Sequence, residues 1–134
     1  MHDVDFFDTN ILLYLFSNDV AKADRAEKLL ATGGVISVQV LNEFASVALR
    51  KQVMPRVELL SVSQDLRRLC KVMPLTVVTH ERGLALLQRY DFSLYDAMIV
   101  ASALEAGCKT LWSEDFQDGL KVEKVLKIRN PFRV

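Results

Sequence analysis

Short apolar segments alternate along this chain with longer segments whose apolar residues recur at helical spacing. Because parallel strands must be joined by connections that cross the sheet, this alternation favours a parallel sheet with helices on both faces. We therefore predict one domain over residues 1–134, an α/β three-layer sandwich whose central sheet has about five mostly parallel strands. The segments predicted to be its strands are 4–8, 35–38, 75–78, 109–113 and 122–128.

The longer segments carry helix start and stop signals. Gly33 and Gly34 follow an amphipathic segment, Pro55 fits the first turn of a helix, and Pro74 breaks the helix before it. Gly107 closes a strongly apolar helix. The predicted helices are 9–16, 19–34, 37–52, 55–71, 79–90 and 93–107.

The composition is that of an ordinary globular domain, with 51% hydrophobic and 25% charged residues. The apolar runs are far shorter than the ~20 residues that span a bilayer, so we expect no membrane segment. The two cysteines, Cys70 and Cys108, lie far apart and fit neither a zinc site nor a disulfide scaffold. A soluble cytoplasmic protein is expected.

The net charge of zero conceals a basic middle segment, because residues 44–89 hold eight bases and three acids. A basic segment can follow the phosphate backbone of a nucleic acid. The alternative is that these bases only solvate helix surfaces. The candidates for contact with a phosphate backbone are Arg50, Lys51, Arg67 and Arg68.

Acidic residues occur where predicted strands end and helices begin. Asp8 ends the first strand, and Ser113, Glu114 and Asp115 end the fourth. The crevice of an open α/β sheet lies beyond the carboxyl ends of its strands, so these acids are expected at one edge. Two further acids lie near helix starts at positions that can face this edge, Glu43 and Asp96.

Carboxylates that converge in this way must share protons or hold a cation, because two of them ~4 Å apart repel by about 4 kcal/mol at an effective dielectric near 20. An all-oxygen site suits Mg²⁺, or Mn²⁺, better than zinc. Such ions orient phosphodiesters and lower the pKa of a water. The expected reaction is hydrolysis of a phosphodiester by a metal-activated water.

Each acid also has a local explanation. Asp8 could cap a helix or form a turn, and Glu43 could simply face solvent. Ser93 and Asp96 match an S-x-x-D capping box. Asp115 and Asp118 could be turn formers. Only the joint placement of the acids carries the functional interpretation.

Three stretches together resemble the PIN domain, and specifically the VapC-type toxin ribonucleases of bacterial toxin–antitoxin pairs. They are "FFDTNILLYLF", "LNEF" and "SLYDAMIVASALEAGCKTLWSEDF". The resemblance covers the chain from Asp5 to about Pro131. Each motif is short, and it is their order and spacing that make the resemblance specific.

The resemblance implies a set of catalytic acids and a supporting set. Asp8, Asp96 and Asp115 would be metal ligands, and Glu43 would complete the acidic cluster directly or through water. Supporting roles near these acids are implied for Thr9, Asn10, Ser113 and, with less support from relatives, Asp118.

The resemblance also implies an RNA substrate, a small cognate antitoxin and, often, a homodimer. The function predicted is that of an Mg²⁺-dependent endoribonuclease toxin. Three alternatives stay open: a catalytically silent PIN-like module that binds RNA or protein, an aspartyl-phosphate phosphatase or receiver that uses Asp8, and a DNA- or ribosome-processing nuclease of the same family. The position two residues after Asp8 is Asn10, where a dehalogenase-type phosphatase has an acid.

Overall fold

A computed structural model describes residues 4–133 of the chain. It contains six helices and six strands within those residues. The helices are α1 Thr9–Tyr14, α2 Val20–Leu30, α3 Val38–Arg50, α4 Arg56–Leu69, α5 Val77–Leu87 and α6 Leu94–Glu105. The strands are β1 Asp5–Phe7, β2 Val35–Ser37, β3 Lys71–Met73, β4 Thr110–Trp112, β5 Lys121–Val122 and β6 Leu126–Arg129.

The strands form one sheet in the order β3-β2-β1-β4-β6-β5, and every pairing is parallel except that of β5 with β6. The predicted α/β fold with a mostly parallel sheet is confirmed. β1 lies between β2 and β4, in the middle of the sheet. Its register pairs Phe7 with Trp112, so the residues that follow these two leave the sheet side by side.

Most helices begin at the capping residues that the sequence provides. Asp8, Asp19, Ser37 and Ser93 each accept a hydrogen bond from a backbone N–H in the first turn of the following helix. Such caps satisfy donors that have no partner inside the helix. Two of these caps lie at the predicted acidic site. Asp8 is itself one of the predicted acids, and Ser93 caps the helix that carries Asp96.

The strand predicted at 75–78 is wrong, because the third strand lies earlier, at Lys71–Met73. Thr76 instead begins α5 with a reciprocal capping box that it forms with Thr79. Val77 and Val78 occupy the first turn of that helix and are 74% and 64% exposed. Helix capping therefore outweighs the strand preference of the two valines.

The last predicted strand, 122–128, is two antiparallel strands, β5 and β6, so the sheet has six strands instead of about five. The chain reverses between them through Glu123 and Lys124, both of which have positive φ. Non-glycine residues seldom adopt this conformation, and no glycine or proline marks the turn. The usual sequence signals of a turn are therefore absent at this position.

The core lies between the sheet and its helices. It includes Phe6, Phe7, Ile36 and Leu111 from the strands. α6 is buried along most of its length, from Ala97 to Ala103. α5 packs closely on α6 at Gly83, where an added Cβ would lie 2.7 Å from the Met98 Cε atom. This contact supports the helix whose first turn carries Asp96.

Within residues 4–133 no helix combines the length and apolar character needed to cross a bilayer.

Candidate active site at the carboxyl edge of the sheet

The centre of the candidate site is Asp8, which follows β1 and is only 2% exposed. The Ser113 hydroxyl donates a hydrogen bond of 2.6 Å to Asp8 Oδ2, and the Thr9 backbone N–H donates one of 2.7 Å to Oδ1. Ser113 can do so because β1 and β4 are neighbouring parallel strands that end together. The carboxylate is thus held in one orientation by atoms from two strand ends.

Asn10 links Asp8 to the loop after β4. Its side-chain amide donates a hydrogen bond of 3.0 Å to Asp115 Oδ2 and longer ones of 3.4 Å to Asp8 Oδ2 and Ser113 Oγ. Its amide oxygen accepts from the Glu114 backbone N–H at 3.3 Å. The predicted supporting residue Asn10 therefore contacts both the acid that follows β1 and the acid in the loop after β4.

Glu43 reaches the same region from the second turn of α3. Its two carboxylate oxygens accept hydrogen bonds from different neighbours, Oε2 from Gln39 Nε2 at 2.7 Å and Oε1 from Thr9 Oγ1 at 3.4 Å. Gln39 is buried, so the carboxylate of Glu43 does not simply face solvent.

Asp96 lies in the first turn of α6, where its backbone N–H donates to the Ser93 hydroxyl at 3.2 Å. The S-x-x-D pattern is thus a real helix cap. Burial raises the pKa of the Asp96 carboxyl above its usual value, and the negative charges of Asp115 and Glu43 raise it further, while the Ser93 hydroxyl opposes the shift. The capping role and a place beside the other acids therefore coexist.

Asp8 has the most perturbed carboxyl group of the site. Burial raises its pKa from 3.8 to about 7, and the charges of Asp115 and Asp96 add to the increase. Hydrogen bonds from Ser113 and Thr9 oppose it. A carboxyl whose pKa is raised by burial and by like charges is typical of functional sites.

Four acids from four separate elements thus act on one another electrostatically at one edge of the sheet: Asp8, Glu43, Asp96 and Asp115. Among the described residues no group of three or more His, Cys, Asp or Glu side chains is placed so that together they could hold a metal ion. Mg²⁺ does not need three protein ligands, because it usually binds one or two carboxylates and keeps several waters. An open cluster whose donors are all oxygen fits this requirement.

Asp118 lies apart from the cluster. Its carboxylate accepts a hydrogen bond of 2.8 Å from the Asn130 backbone N–H, which ties the loop after β4 to the segment after β6. This contact is the turn-stabilising role that its sequence position also allowed.

The four basic candidates do not form one patch beside the acids. Lys51 follows α3 and lines a cavity of about 370 Å³ together with Asn10, and Arg50 is exposed beside it. Arg67 and Arg68 lie in the last turn of α4, just before the start of β3, which is the edge opposite Asp8. Arg68 also pairs with Asp65 at 2.7 Å. Of the four candidates, Lys51 is the one that shares a cavity with a residue of the site.

Sequence reasoning missed an ionic cluster next to the site. Lys22 Nζ donates to Glu114 Oε2 and to the Tyr14 hydroxyl, each at 3.1 Å, and that hydroxyl donates a short hydrogen bond to Glu114 Oε1. Glu114 is 92 residues from Lys22 and 100 from Tyr14 in the sequence, so no spacing rule could have joined it to them. Gln39 was also missed, although its position four residues before Glu43 on a helix was a usable signal.

The fold and the site together define an α/β protein with an all-oxygen acidic site at the carboxyl edge of a parallel sheet. The family model described as the PIN domain matches residues 6–118. The chain belongs to the PIN domain family. A comparison with the curated proteins found no match.

Solved structures give the same fold. A toxin–antitoxin complex from Klebsiella pneumoniae has a TM-score of 0.73 at 23% identity, covering 97% of this chain and 99% of its own. VapC20 of Mycobacterium tuberculosis, described as a sarcin–ricin loop cleaving toxin, has a TM-score of 0.67 at 21% identity, covering 83% and 91%. VapBC2 of Rickettsia felis, bound to a DNA fragment from its promoter, has a TM-score of 0.65 at 16% identity, covering 94% and 97%.

Proposed function

We propose that this protein is a divalent-metal-dependent endoribonuclease of the VapC type, acting as the toxin of a toxin–antitoxin pair. The observation that carries the proposal is the meeting of Asp8, Glu43, Asp96 and Asp115 at one edge of a PIN fold. Nothing in the packing of the core requires four mutually repelling acids there, and a cation would relieve their repulsion.

Asp8, Asp96 and Asp115 are the proposed metal ligands, of which one or two would bind an ion directly and the others would hold its waters. Ser113 and the Thr9 backbone fix Asp8 through hydrogen bonds to separate carboxylate oxygens, and Asn10 orients Asp115. Gln39 and Thr9 hold Glu43, which completes the cluster. Side chains locked in this way need little reorganisation when a cation and a phosphate bind.

Mg²⁺ is the proposed cofactor, with Mn²⁺ as a substitute, because the donors are carboxylates, hydroxyls and an amide. When bound, such an ion offers charge to a phosphate oxygen and acidifies a water. The protein's own contribution is to place the acids, to keep Asp8 away from bulk water and, through Lys51, to offer a positive charge beside the site.

RNA is the proposed substrate. One structural relative is described as a toxin that cleaves the sarcin–ricin loop, and two are toxin–antitoxin assemblies. A cognate antitoxin protein is therefore the proposed inhibitor, and the cytoplasm is the proposed location. Homodimerisation is proposed through the exposed apolar side of α4, where Val57 is 88% and Leu60 is 70% exposed.

The proposal is tested by measuring cleavage of single-stranded and structured RNA with Mg²⁺, with Mn²⁺ and with EDTA. Asp8→Asn and Asp96→Asn are expected to lower kcat/KM by roughly a hundredfold or more, because each removes a proposed ligand charge. Asp118→Asn is the matched control, since it makes the same chemical change on an acid outside the cluster.

Full activity of Asp8→Asn, or equal cutting with Mg²⁺ and with EDTA, would contradict the proposal. RNA binding without any cutting under all conditions would favour the catalytically silent module. A covalent aspartyl phosphate on Asp8 would favour the phosphatase or receiver.

A further inference from the structure

A second cavity borders the acidic cluster, and Lys51 does not line it. It has a volume of about 410 Å³, and Asp96 and Asp115 form one of its walls. The remaining lining includes three aromatic side chains, Tyr90, Phe92 and Phe116. These residues come from the loop between α5 and α6 and from the loop after β4, so they are brought together only by the fold.

Phe92 is in contact with both of the other rings. Tyr90 and Phe92 stack with centroids 5.3 Å apart and ring planes 14° from parallel, and Phe116 meets Phe92 edge-on at 5.4 Å. All three are half-buried, so each packs on the core with one part and lines the cavity with another.

A positive charge lies at the outer rim of this cavity. The Arg89 guanidinium is 5.4 Å from the centroid of the Tyr90 ring and 3.4 Å from a Glu123 carboxylate oxygen. The Tyr90 hydroxyl accepts a hydrogen bond from the Glu123 backbone N–H at 3.0 Å. The rim is thereby tied to the β5–β6 turn, which limits the movement of the aromatic wall.

The cavity thus combines carboxylates that suit a cation, flat apolar rings and an arginine. A nucleotide matches both parts of this cavity. Its charged phosphate needs a cation, and its base stacks on aromatic rings. We infer that this cavity binds one unpaired base of the RNA, next to the phosphate that is cut. The inference rests on the proposed ribonuclease function and adds to it the feature that selects the cutting position.

The inference is tested on RNA in two steps. An RNA with a randomised core is first cut with Mg²⁺, and its product ends are sequenced to choose one efficiently cut oligonucleotide. That oligonucleotide is then made with an abasic nucleotide at each position flanking the cut. Removal of one particular base is expected to lower kcat/KM of the wild-type protein by roughly 5- to 150-fold, the range of a lost aromatic stack.

Variants of Phe116 then test whether the base stacks on the aromatic side chains of this cavity. Phe116→Leu keeps an apolar side chain but removes the ring, and it is expected to lower kcat/KM on intact RNA while the sensitive abasic position has no further effect. Phe116→Tyr keeps the ring and should retain the sensitivity. Phe132→Leu is the matched control, because Phe132 is a half-buried aromatic that packs on Tyr14 outside this cavity.

Two outcomes would overturn the inference while leaving the ribonuclease proposal intact. One is a wild-type protein that cuts but is insensitive to every abasic position next to the cut, a result that does not depend on how any variant folds. The other is a Phe116→Leu protein whose kcat/KM falls, at the sensitive abasic position, by the same factor as that of the wild type. A wild-type protein that cuts no RNA would instead contradict the proposed function itself.

Discussion

Glu114 and Asp115 are neighbours in the chain, yet they lie in opposite electrostatic surroundings. Glu114 turns towards α1 and α2, where Lys22 and the Tyr14 hydroxyl bind its carboxylate. Asp115 turns towards the acidic cluster, where Asn10 is its hydrogen-bond donor and the charges of Asp8 and Asp96 face it. One acid is already neutralised by the protein, and the other is not.

This difference separates an acid that holds the loop in place from an acid that is a proposed metal ligand. The Tyr14 hydroxyl and Glu114 raise the pKa of Lys22 to about 12, so the cation of this pair stays charged at any ordinary pH. On the other side, burial raises the pKa of Asp8 to about 7, so its charge depends on pH near neutrality. The Glu114 side holds the loop through an ion pair. The Asp115 side forms part of the proposed metal site.

The largest expected effect is on the pH dependence of stability without metal. Between the unfolded-state pKa of 3.8 and the folded-state pKa of about 7, the folded protein binds one proton more than the unfolded chain at Asp8. The contribution of Asp8 to the free energy of unfolding is therefore fully present below pH 3.8 and declines as the pH rises to about 7. The decline is about 4 kcal/mol.

Urea unfolding in EDTA, from about pH 4 to about pH 8, measures this decline. Asp8→Asn should remove it, and Mg²⁺ should restore stability mainly above pH 7, where it no longer competes with the proton. Identical pH profiles for the wild type and Asp8→Asn would show that Asp8 does not carry the buried charge.

A smaller effect is expected when the two neighbouring acids are changed separately. Asp115→Asn should lower kcat/KM for RNA cleavage by roughly 10- to 100-fold, because it alters a proposed metal ligand. Glu114→Gln should change kcat/KM by less than roughly twofold, because its partners lie outside the acidic cluster. The two variants differ by one position in the chain, so each controls for the other. Equal losses of kcat/KM in the two variants would mean that Glu114 and Asp115 do not have separate roles.

The smallest effect concerns the contact between α5 and α6, the helix that carries Asp96. Gly83→Val would bring side-chain atoms against Met98 where α5 and α6 approach most closely. We expect the free energy of unfolding to fall by about 1–2 kcal/mol, since overpacking exceeds the gain in helix propensity. Chemical unfolding measures it, with Gly83→Ala as the milder control because the nearest atom is the flexible end of Met98. A Gly83→Val protein as stable as the wild type would show that the contact has room to adjust.

Much of the fold was predictable because its signals are local. The strand segments that became β1, β2 and β4, the Gly33–Gly34 stop and the Ser93 cap all depend on residues near in sequence. β3 was misplaced because a run of β-branched residues after Pro74 outweighed a cap at Thr76 that only the structure reveals. The β5–β6 turn was missed because it is built from non-glycine residues with positive φ.

The sequence by itself determined an alternating α/β chain with acids at strand ends and helix starts, because chain periodicity and capping are properties of neighbouring residues. Only the tertiary structure decided which acids meet, since Asp8 and Ser113 become neighbours through the pairing of β1 with β4. The same is true of the pairing of Glu114 with Lys22 and of the aromatic wall beside Asp115. These contacts join side chains far apart in sequence, and their distances and burial exist only once the sheet has formed.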